Sequence, residues 1–111
     1  MSLKKFILGA ALVFSCIAPA LAEELLTFQI TAKNGKLIPE RIVVPAGRKI
    51  KLVLKNEGPG PEEFENLEMR VEKVLGPGAT SFVVLHNLKP GTYRFVDEFH
   101  PETAQCLIVA K

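Results

Sequence analysis

The sequence predicts an all-β fold, built as a sandwich or barrel of about seven short strands. Apolar and polar residues alternate over several short stretches, which is the pattern of strands with one buried face. Glycine and proline cluster between these stretches and predict tight turns. No long amphipathic helix competes with the strands, so a chain of 111 residues is expected to form one small β domain.

The first half of the chain contains three predicted strands. They cover residues 26–31, 42–44 and 49–55, and the alternation is most regular in the third. Asn34-Gly35 predicts a turn after the first strand, and Pro45-Ala46-Gly47 is expected to end the second.

The second half of the chain contains four more predicted strands. Residues 62–75 are ambiguous, because glutamates recur near helical spacing while apolar residues also alternate with charged ones. We predict a strand over residues 67–74, with a short irregular entry at residues 62–66 that follows a loop over residues 56–61. The last three predicted strands are residues 82–85, 92–96 and 107–109.

The N-terminus has the features of a signal peptide. Two lysines precede an apolar run over residues 6–17, and Ala20-Leu21-Ala22 supplies a cleavage site. We therefore predict a signal peptide over residues 1–22 and a mature domain over residues 23–111. The apolar run is shorter than the ~20 residues that span a bilayer, so a membrane anchor is not expected.

The charge, the cysteine content and the absence of certain motifs argue against several classes of function. The formal net charge is +2, and two lysines lie in the signal peptide, so the mature domain is expected to be close to neutral. No basic patch with interleaved aromatic residues is present, and we expect no nucleic-acid partner. One cysteine, Cys106, remains after cleavage, which leaves no internal disulfide. Hydrolase, nucleotide-binding and thioredoxin functions lack their usual motifs.

The order and spacing of several motifs resemble a cupredoxin domain over nearly all of the mature chain. A Pro-Gly-x-Tyr-x-Phe strand from Pro90 to Phe95 leads to a loop with one histidine and then to a final strand. A Val-Pro-Ala-Gly turn at residues 44–47 precedes an alternating strand that ends in Asn56. The resemblance implies a cupredoxin-like Greek-key β-sandwich.

Blue-copper members of this family bind copper through one cysteine, two histidines and a weak axial methionine. By resemblance, the cysteine position falls on Asp97 and the downstream histidine position on His100. The methionine position falls near Ala104 or Gln105, and the upstream histidine position falls in residues 63–65, which contain no histidine. Because only His100 matches, the resemblance implies no blue electron-transfer site.

Three motifs also resemble periplasmic cupredoxin-like proteins of bacterial iron-uptake systems. They are PEEFENLEMRVEK at residues 61–73, GPG at residues 76–78 and DEFHPETA at residues 97–104. That group is related to the cupredoxin domain of the ferrous-uptake protein EfeO and usually has glycine where this chain has Cys106. The resemblance implies a periplasmic location and assistance in the oxidation of ferrous iron. The implied partner is an inner-membrane iron permease or another periplasmic uptake component.

The candidate metal ligands are carboxylates and one histidine: Glu63, Glu65, Asp97, Glu98 and His100. These donors suit ferrous iron, manganese or Cu(II) more than Cu(I), so the expected cofactor is a copper or iron ion. Asp97 follows an apolar strand, where an unpaired carboxylate would be costly. Glu63 and Glu65 share one face of an extended backbone, and the sequence leaves open which of them reaches a metal. The alternative is a solvated acidic loop.

Three further residues rank lower as ligands. Met69 lies on the apolar side of its predicted strand and is typical of a core, although a thioether can bind soft metals. Cys106 fits a buried small hydrophobe, with a thiolate ligand or an intermolecular disulfide as alternatives. His86 adjoins a turn and is expected at the surface.

The residues and the resemblance together favour a periplasmic metal-binding protein that assists ferrous or ferric iron uptake with a membrane permease. Three alternatives remain at this stage. One is a metal-free interaction module that docks a partner with its acidic loop. Another is a copper-binding electron carrier with a non-blue site, and the last is a ferroxidase in its own right.

Overall fold

Nine strands and no helix make up residues 25–111, the part of the chain that the computed structural model describes. The strands are β1 (Leu26–Lys33), β2 (Lys36–Ile38), β3 (Arg41–Val44), β4 (Ile50–Asn56), β5 (Glu62–Asn66), β6 (Val71–Leu75), β7 (Thr80–Leu85), β8 (Gly91–Val96) and β9 (Gln105–Ala110). The predicted all-β sandwich is confirmed. The predicted signal peptide, residues 1–22, lies outside the described residues, and residues 25–111 contain no helix that could span a membrane.

The strands form two sheets. One sheet has the order β2-β1-β4-β7, and the other has the order β3-β9-β8-β5-β6. Most neighbouring strands pair antiparallel, but β1 pairs with β4 and β3 pairs with β9 in parallel. Both pairs join strands that are distant in sequence, since the chain crosses between the sheets instead of turning back within one.

The core lies between the inner faces of the two sheets. β4 alternates as predicted, with Ile50, Leu52 and Leu54 buried and Lys51, Val53 and Lys55 more exposed. Phe64 of β5 and Phe95 of β8 stack at 4.2 Å between ring centroids, with their planes 4° apart. Such an aromatic pair contributes about 0.5–1.5 kcal/mol beyond its buried area. The stack fixes the two strands that carry the candidate ligands against each other.

The predicted strand over residues 67–74 is wrong in its first half. Residues 67–70 form a turn, whereas residues 62–66, predicted to be irregular, form strand β5. Asn66 stabilises this arrangement, because its amide Nδ2 donates to Arg94 O and its Oδ1 accepts from Met69 N. β5 pairs with β6 on one side and with β8 on the other, so pairing in the sheet outweighs its glutamate-rich composition.

A tight hairpin at one end of the sandwich connects β1 and β2. Its turn residues, Asn34 and Gly35, have φ values of 52° and 74°, the left-handed backbone that such two-residue turns require. The predicted Asn34-Gly35 turn is confirmed. This hairpin lies beside the loop between β8 and β9, which carries the predicted ligand motif.

Candidate metal centre

The loop over residues 97–104 is closed by its own backbone hydrogen bonds. Asp97 N donates to Ala104 O at 3.0 Å, and Ala104 N donates to His100 O at 2.9 Å. His100 N donates to Asp97 O at 2.9 Å. The loop therefore forms a compact bridge between β8 and β9 and sets the positions of its first and fourth side chains.

Asp97 lies at the centre of the site and is fully buried. Its Oδ1 accepts from the backbone N–H of Glu63 at 3.1 Å and of Phe99 at 2.9 Å. Its Oδ2 lies 2.7 Å from His100 Nδ1. Burial opposes ionisation of Asp97, but hydrogen bonds from Glu62, His100 and the backbone outweigh it and lower the pKa of the carboxyl group. Asp97 is therefore an anion held in place by donors on several sides.

Glu62, the first residue of β5, is the second acidic group of this site. Burial, together with the hydrogen bond to Asp97 and its charge, raises the pKa of Glu62 to about 9. At neutral pH the carboxyl group is therefore protonated and donates to Asp97. The other oxygen, Oε1, is buried and has no hydrogen-bond partner among residues 25–111. A buried carboxyl oxygen without a partner is uncommon and is the atom that a bound cation would satisfy.

The ligand atoms of Glu62, Asp97 and His100 all lie within 4.8 Å of one another. This separation is compatible with ligands around one ion, since ligand distances of about 2 Å place neighbouring donors about 3–4 Å apart. His100 is the open member, with 42% of its side chain exposed. A groove lined by residues 32–35, 58–62 and His100 gives access to the cluster from solvent.

Asn56, at the end of β4, organises the wall of that groove. Its Nδ2 donates to Gly60 O at 2.9 Å and to Leu75 O at 3.0 Å, and its Oδ1 accepts from Gly58 N at 2.7 Å. The side chain satisfies the backbone of a glycine- and proline-rich loop that cannot form regular structure. The loop is thereby fixed where it delivers Glu62 to the site.

Glu63 and Glu65 form a different cluster. They point to the face of β5 opposite Glu62 and meet Glu72, the cross-strand partner of Glu65 on β6. Burial, with Glu72 as the next cause, raises the pKa of Glu63 to about 7, and the same two causes raise the pKa of Glu65. The structure thus joins Asp97 and His100, as expected, but joins them to Glu62 rather than to Glu63 or Glu65.

The sequence contains a signal for Glu62. Phe64 faces the core in any strand through this segment, and alternation places Glu62 on the same face. This signal applies only to a strand, and an irregular backbone at residues 62–66 would not place Glu62 and Phe64 on one face.

The remaining candidates lie outside both clusters. Glu98 is exposed, and Met69 sits in the turn after β5, where it is partly buried against the core. Cys106 is fully buried on β9 opposite Phe95, and burial raises the pKa of its thiol to about 12. Among residues 25–111 it belongs to no ligand cluster. His86 is exposed, as expected.

A two-sheet sandwich with a histidine-bearing loop between its last two strands defines a cupredoxin-like protein. Residues 5–110 match the family model described as the cupredoxin-like domain, and the chain belongs to this family. A curated relative, an uncharacterised protein of Rickettsia prowazekii (strain Madrid E), is 36% identical over 87 residues, which cover 78% of this chain and 70% of the relative.

Solved structures support the fold. The metal-binding domain of the Cu(I)-exporting P-type ATPase CopA of Streptococcus pneumoniae D39, with Cu(I), matches with a TM-score of 0.71 and 13% identity, covering 83% of this chain and 91% of that chain. Auracyanin from Roseiflexus castenholzii matches with a TM-score of 0.64 and 16% identity, covering 77% of this chain and 96% of that chain. At these identities the likeness establishes the shared fold.

The donor set decides which metal chemistry the site fits. The cluster has two carboxyl groups and one imidazole, and Cys106 is not part of it. It does not fit a blue-copper centre, which needs a cysteine ligand. It does fit a hard or borderline divalent ion such as Fe(II) or Cu(II).

Proposed function

We propose that this protein binds a divalent cation, Fe(II) or Cu(II), through Glu62, Asp97 and His100. Two observations carry the proposal: one ligand atom of each residue lies within 4.8 Å of the others, and Glu62 has a buried oxygen without a hydrogen-bond partner among residues 25–111. A cation would take the place of the Glu62 proton and share the negative charge of Asp97. Metal binding at carboxyl groups releases protons in this way, so occupancy is coupled to pH.

Three protein donors leave coordination positions open on the side of the groove. Cations of this class use four to six ligands, so water or a donor from another molecule can complete the shell. An open shell suits a protein that takes up and hands over an ion. In this proposal the ion is cargo, and the chain's own residues bind it, orient the imidazole and exclude water from the buried side.

The biological setting that we propose is periplasmic iron uptake beside an inner-membrane permease. It is supported by the DEFHPETA and PEEFENLEMRVEK motifs, which resemble cupredoxin-like proteins of iron-uptake systems. The oxygen-rich donor set agrees with iron as the ion. Glu62, Asp97 and His100 all fall in these two motifs, and the resemblance and the geometry agree on Asp97 and His100.

A copper-binding carrier with a non-blue site is the second candidate. The observation that favours it is that structures sharing the fold include the Cu(I)-bound CopA domain and auracyanin A from Chloroflexus aurantiacus, described as a blue copper protein. Cu(II) accepts imidazole and carboxylate ligands as well as Fe(II) does. The two candidates therefore differ in the ion rather than in the site.

The test is titration of the chelator-treated protein, residues 23–111, with Cu(II) in air and with Fe(II) under anaerobic conditions. Isothermal titration calorimetry should give one ion per chain for at least one metal. Glu62→Gln and His100→Ala should each weaken binding about tenfold or more, because each removes a ligand. His86→Ala is the matched control, since His86 is exposed and lies in neither cluster, and its affinity should equal that of the parent protein.

Two results would overturn the assignment. The metal-binding function fails if neither ion binds more tightly than about millimolar, the range of weak adventitious contacts. An intense visible band with Cu(II) would require a thiolate ligand and would identify Cys106 instead of the carboxyl groups. The relative affinity for Fe(II) and Cu(II) distinguishes the iron role from the copper role.

A further inference from the structure

One face of the His100 ring lies against the backbone of another loop. An added Cβ on Gly35, in the β1–β2 turn, would lie 2.9 Å from His100 Cδ2 and 3.2 Å from Cγ. Real Cβ atoms do not approach ring carbons so closely, so only glycine leaves room for the imidazole here. The Gly35 backbone thereby covers one face of the ring while Nδ1 meets the Asp97 carboxylate, although 42% of the side chain is exposed.

The turn itself is anchored to both loops of the site. Thr103, in the same loop as His100, donates its hydroxyl to Gly35 O at 2.6 Å. On the other side, Asn34 N donates to Gly58 O at 3.0 Å, in the loop that leads to Glu62. The hairpin therefore connects the two segments that supply the ligand cluster.

We propose that the Asn34-Gly35 turn is a positioning element of this site, which holds the His100 ring with Nδ1 toward Asp97. Without the contact at Gly35, rotation about the His100 side-chain torsions would carry the ring away from Asp97 into the groove. With it, Nδ1 stays 2.7 Å from Asp97 Oδ2, and the ring face at Cδ2 and Cγ stays against Gly35. For metal binding, which rests on the function proposed above, the turn determines that Nδ1 is the nitrogen offered to the ion.

The chain supplies a matched control for a substitution at Gly35. Gly47 has nearly the same backbone conformation, with φ of +75° against +74°, but an added Cβ there meets no atom within 4 Å. Both alanine variants lose the freedom of glycine at positive φ, and the backbone strain should be similar in the two. Only Gly35→Ala also forces the His100 ring to move.

The first measurement is made without metal, by NMR of ¹⁵N-labelled imidazole groups in the chelator-treated protein. The parent protein and Gly47→Ala should show the same hydrogen-bonded Nδ1 signal for His100. Gly35→Ala should shift or lose that signal, while the His86 signals stay unchanged as an internal reference. Identical His100 spectra for the two variants would refute the positioning role, whether or not the protein binds a metal.

The second measurement is Cu(II) affinity, where Gly35→Ala should bind about tenfold or more weakly than Gly47→Ala, the size of effect typical of groups that orient ligands. Equal affinities in the two variants, with altered His100 signals, would refute the role of the turn in metal binding, although the turn would still position the ring. Thr103→Val tests the anchor if Gly35→Ala fails to fold. Thr103→Val should shift the His100 signals, because it removes the hydroxyl that donates to Gly35 O. Thr103→Ser keeps that donor and should show the His100 signals of the parent protein. If Thr103→Val also shows the parent signals, the proposal is contradicted.

Discussion

Replacing Glu62 with glutamine should flatten the pH dependence of stability in the metal-free protein. The folded-state pKa of Glu62, about 9, is raised above its unfolded value of 4.5, so the native state holds one more proton between these limits. The stability contributed by this proton is fully present below pH 4.5 and is lost as the pH rises toward 9. Glutamine does not titrate, and its Nε2 can replace the carboxyl O–H as the donor to Asp97.

The size of the effect follows from proton linkage. One proton of difference changes the free energy of unfolding by about 1.4 kcal/mol per pH unit. Between about pH 5.5 and about pH 7.5 the Glu62 contribution would therefore fall by about 3 kcal/mol if the group were fully shielded. Solvent in the adjoining groove screens the charge, and we expect a difference between the parent protein and Glu62→Gln of about 1–2 kcal/mol.

The assay is urea denaturation at a series of pH values with a chelator present. Glu63 also has a raised pKa and adds a slope of the same sign, but it does so in both proteins, so the difference between the two curves isolates Glu62. Parallel curves for the parent protein and Glu62→Gln would refute the conclusion that Glu62 is protonated in the folded state.

Four other measurements test the same structure. Cu(II) affinity should rise between about pH 5 and about pH 8, because the cation must displace the Glu62 proton, and a pH-independent affinity would contradict this exchange. Asp97→Asn should lower the free energy of unfolding by about 2–3 kcal/mol at neutral pH, since it removes a buried anion that accepts several hydrogen bonds; a neutral effect in urea denaturation would argue against that network. Phe64→Leu should cost about 1–2 kcal/mol by the same assay through loss of the stack on Phe95, and no loss would show that the stack is not stabilising. Cys106 should react with a thiol reagent only at the rate of unfolding, because it is buried and its pKa is raised to about 12; fast labelling of the folded protein would be inconsistent with this burial.

Local sequence patterns were sufficient to predict most of the sandwich. Alternation identifies strands that have one buried face and one solvent-exposed face, as in β4. The Asn-Gly pair at residues 34–35 identifies the β1–β2 turn, whose left-handed backbone the structure shows. β5 has neither property, because both of its faces are buried and four of its five residues are polar. Its strand conformation depends on pairing with β6 and β8, and this pairing cannot be predicted from the local sequence of residues 62–66.

The sequence predicts the part of the candidate site that lies in one loop, residues 97–104. Asp97 and His100 lie three residues apart in one closed loop, so their proximity follows from sequence distance. Glu62 and Gly35 reach the site from other strands, and their positions depend on how the sheets are joined. Glu63 and Glu65, the glutamates named as candidate ligands from the sequence, lie on the face of β5 opposite Glu62 and form a separate cluster with Glu72.

Asp97 explains why the site can be stable both with and without a cation. Its Oδ1 is occupied by two backbone N–H groups, which fix the carboxylate regardless of what binds elsewhere. Its Oδ2 faces His100, and Glu62 also donates a hydrogen bond to Asp97, so hydrogen bonds hold the three groups together in the metal-free state. A cation entering from the groove would replace hydrogen bonds at the Oδ2 side and leave the backbone contacts at Oδ1 intact. Exchange of protons for an ion would then require little rearrangement, which agrees with the proposed uptake and release of a cation.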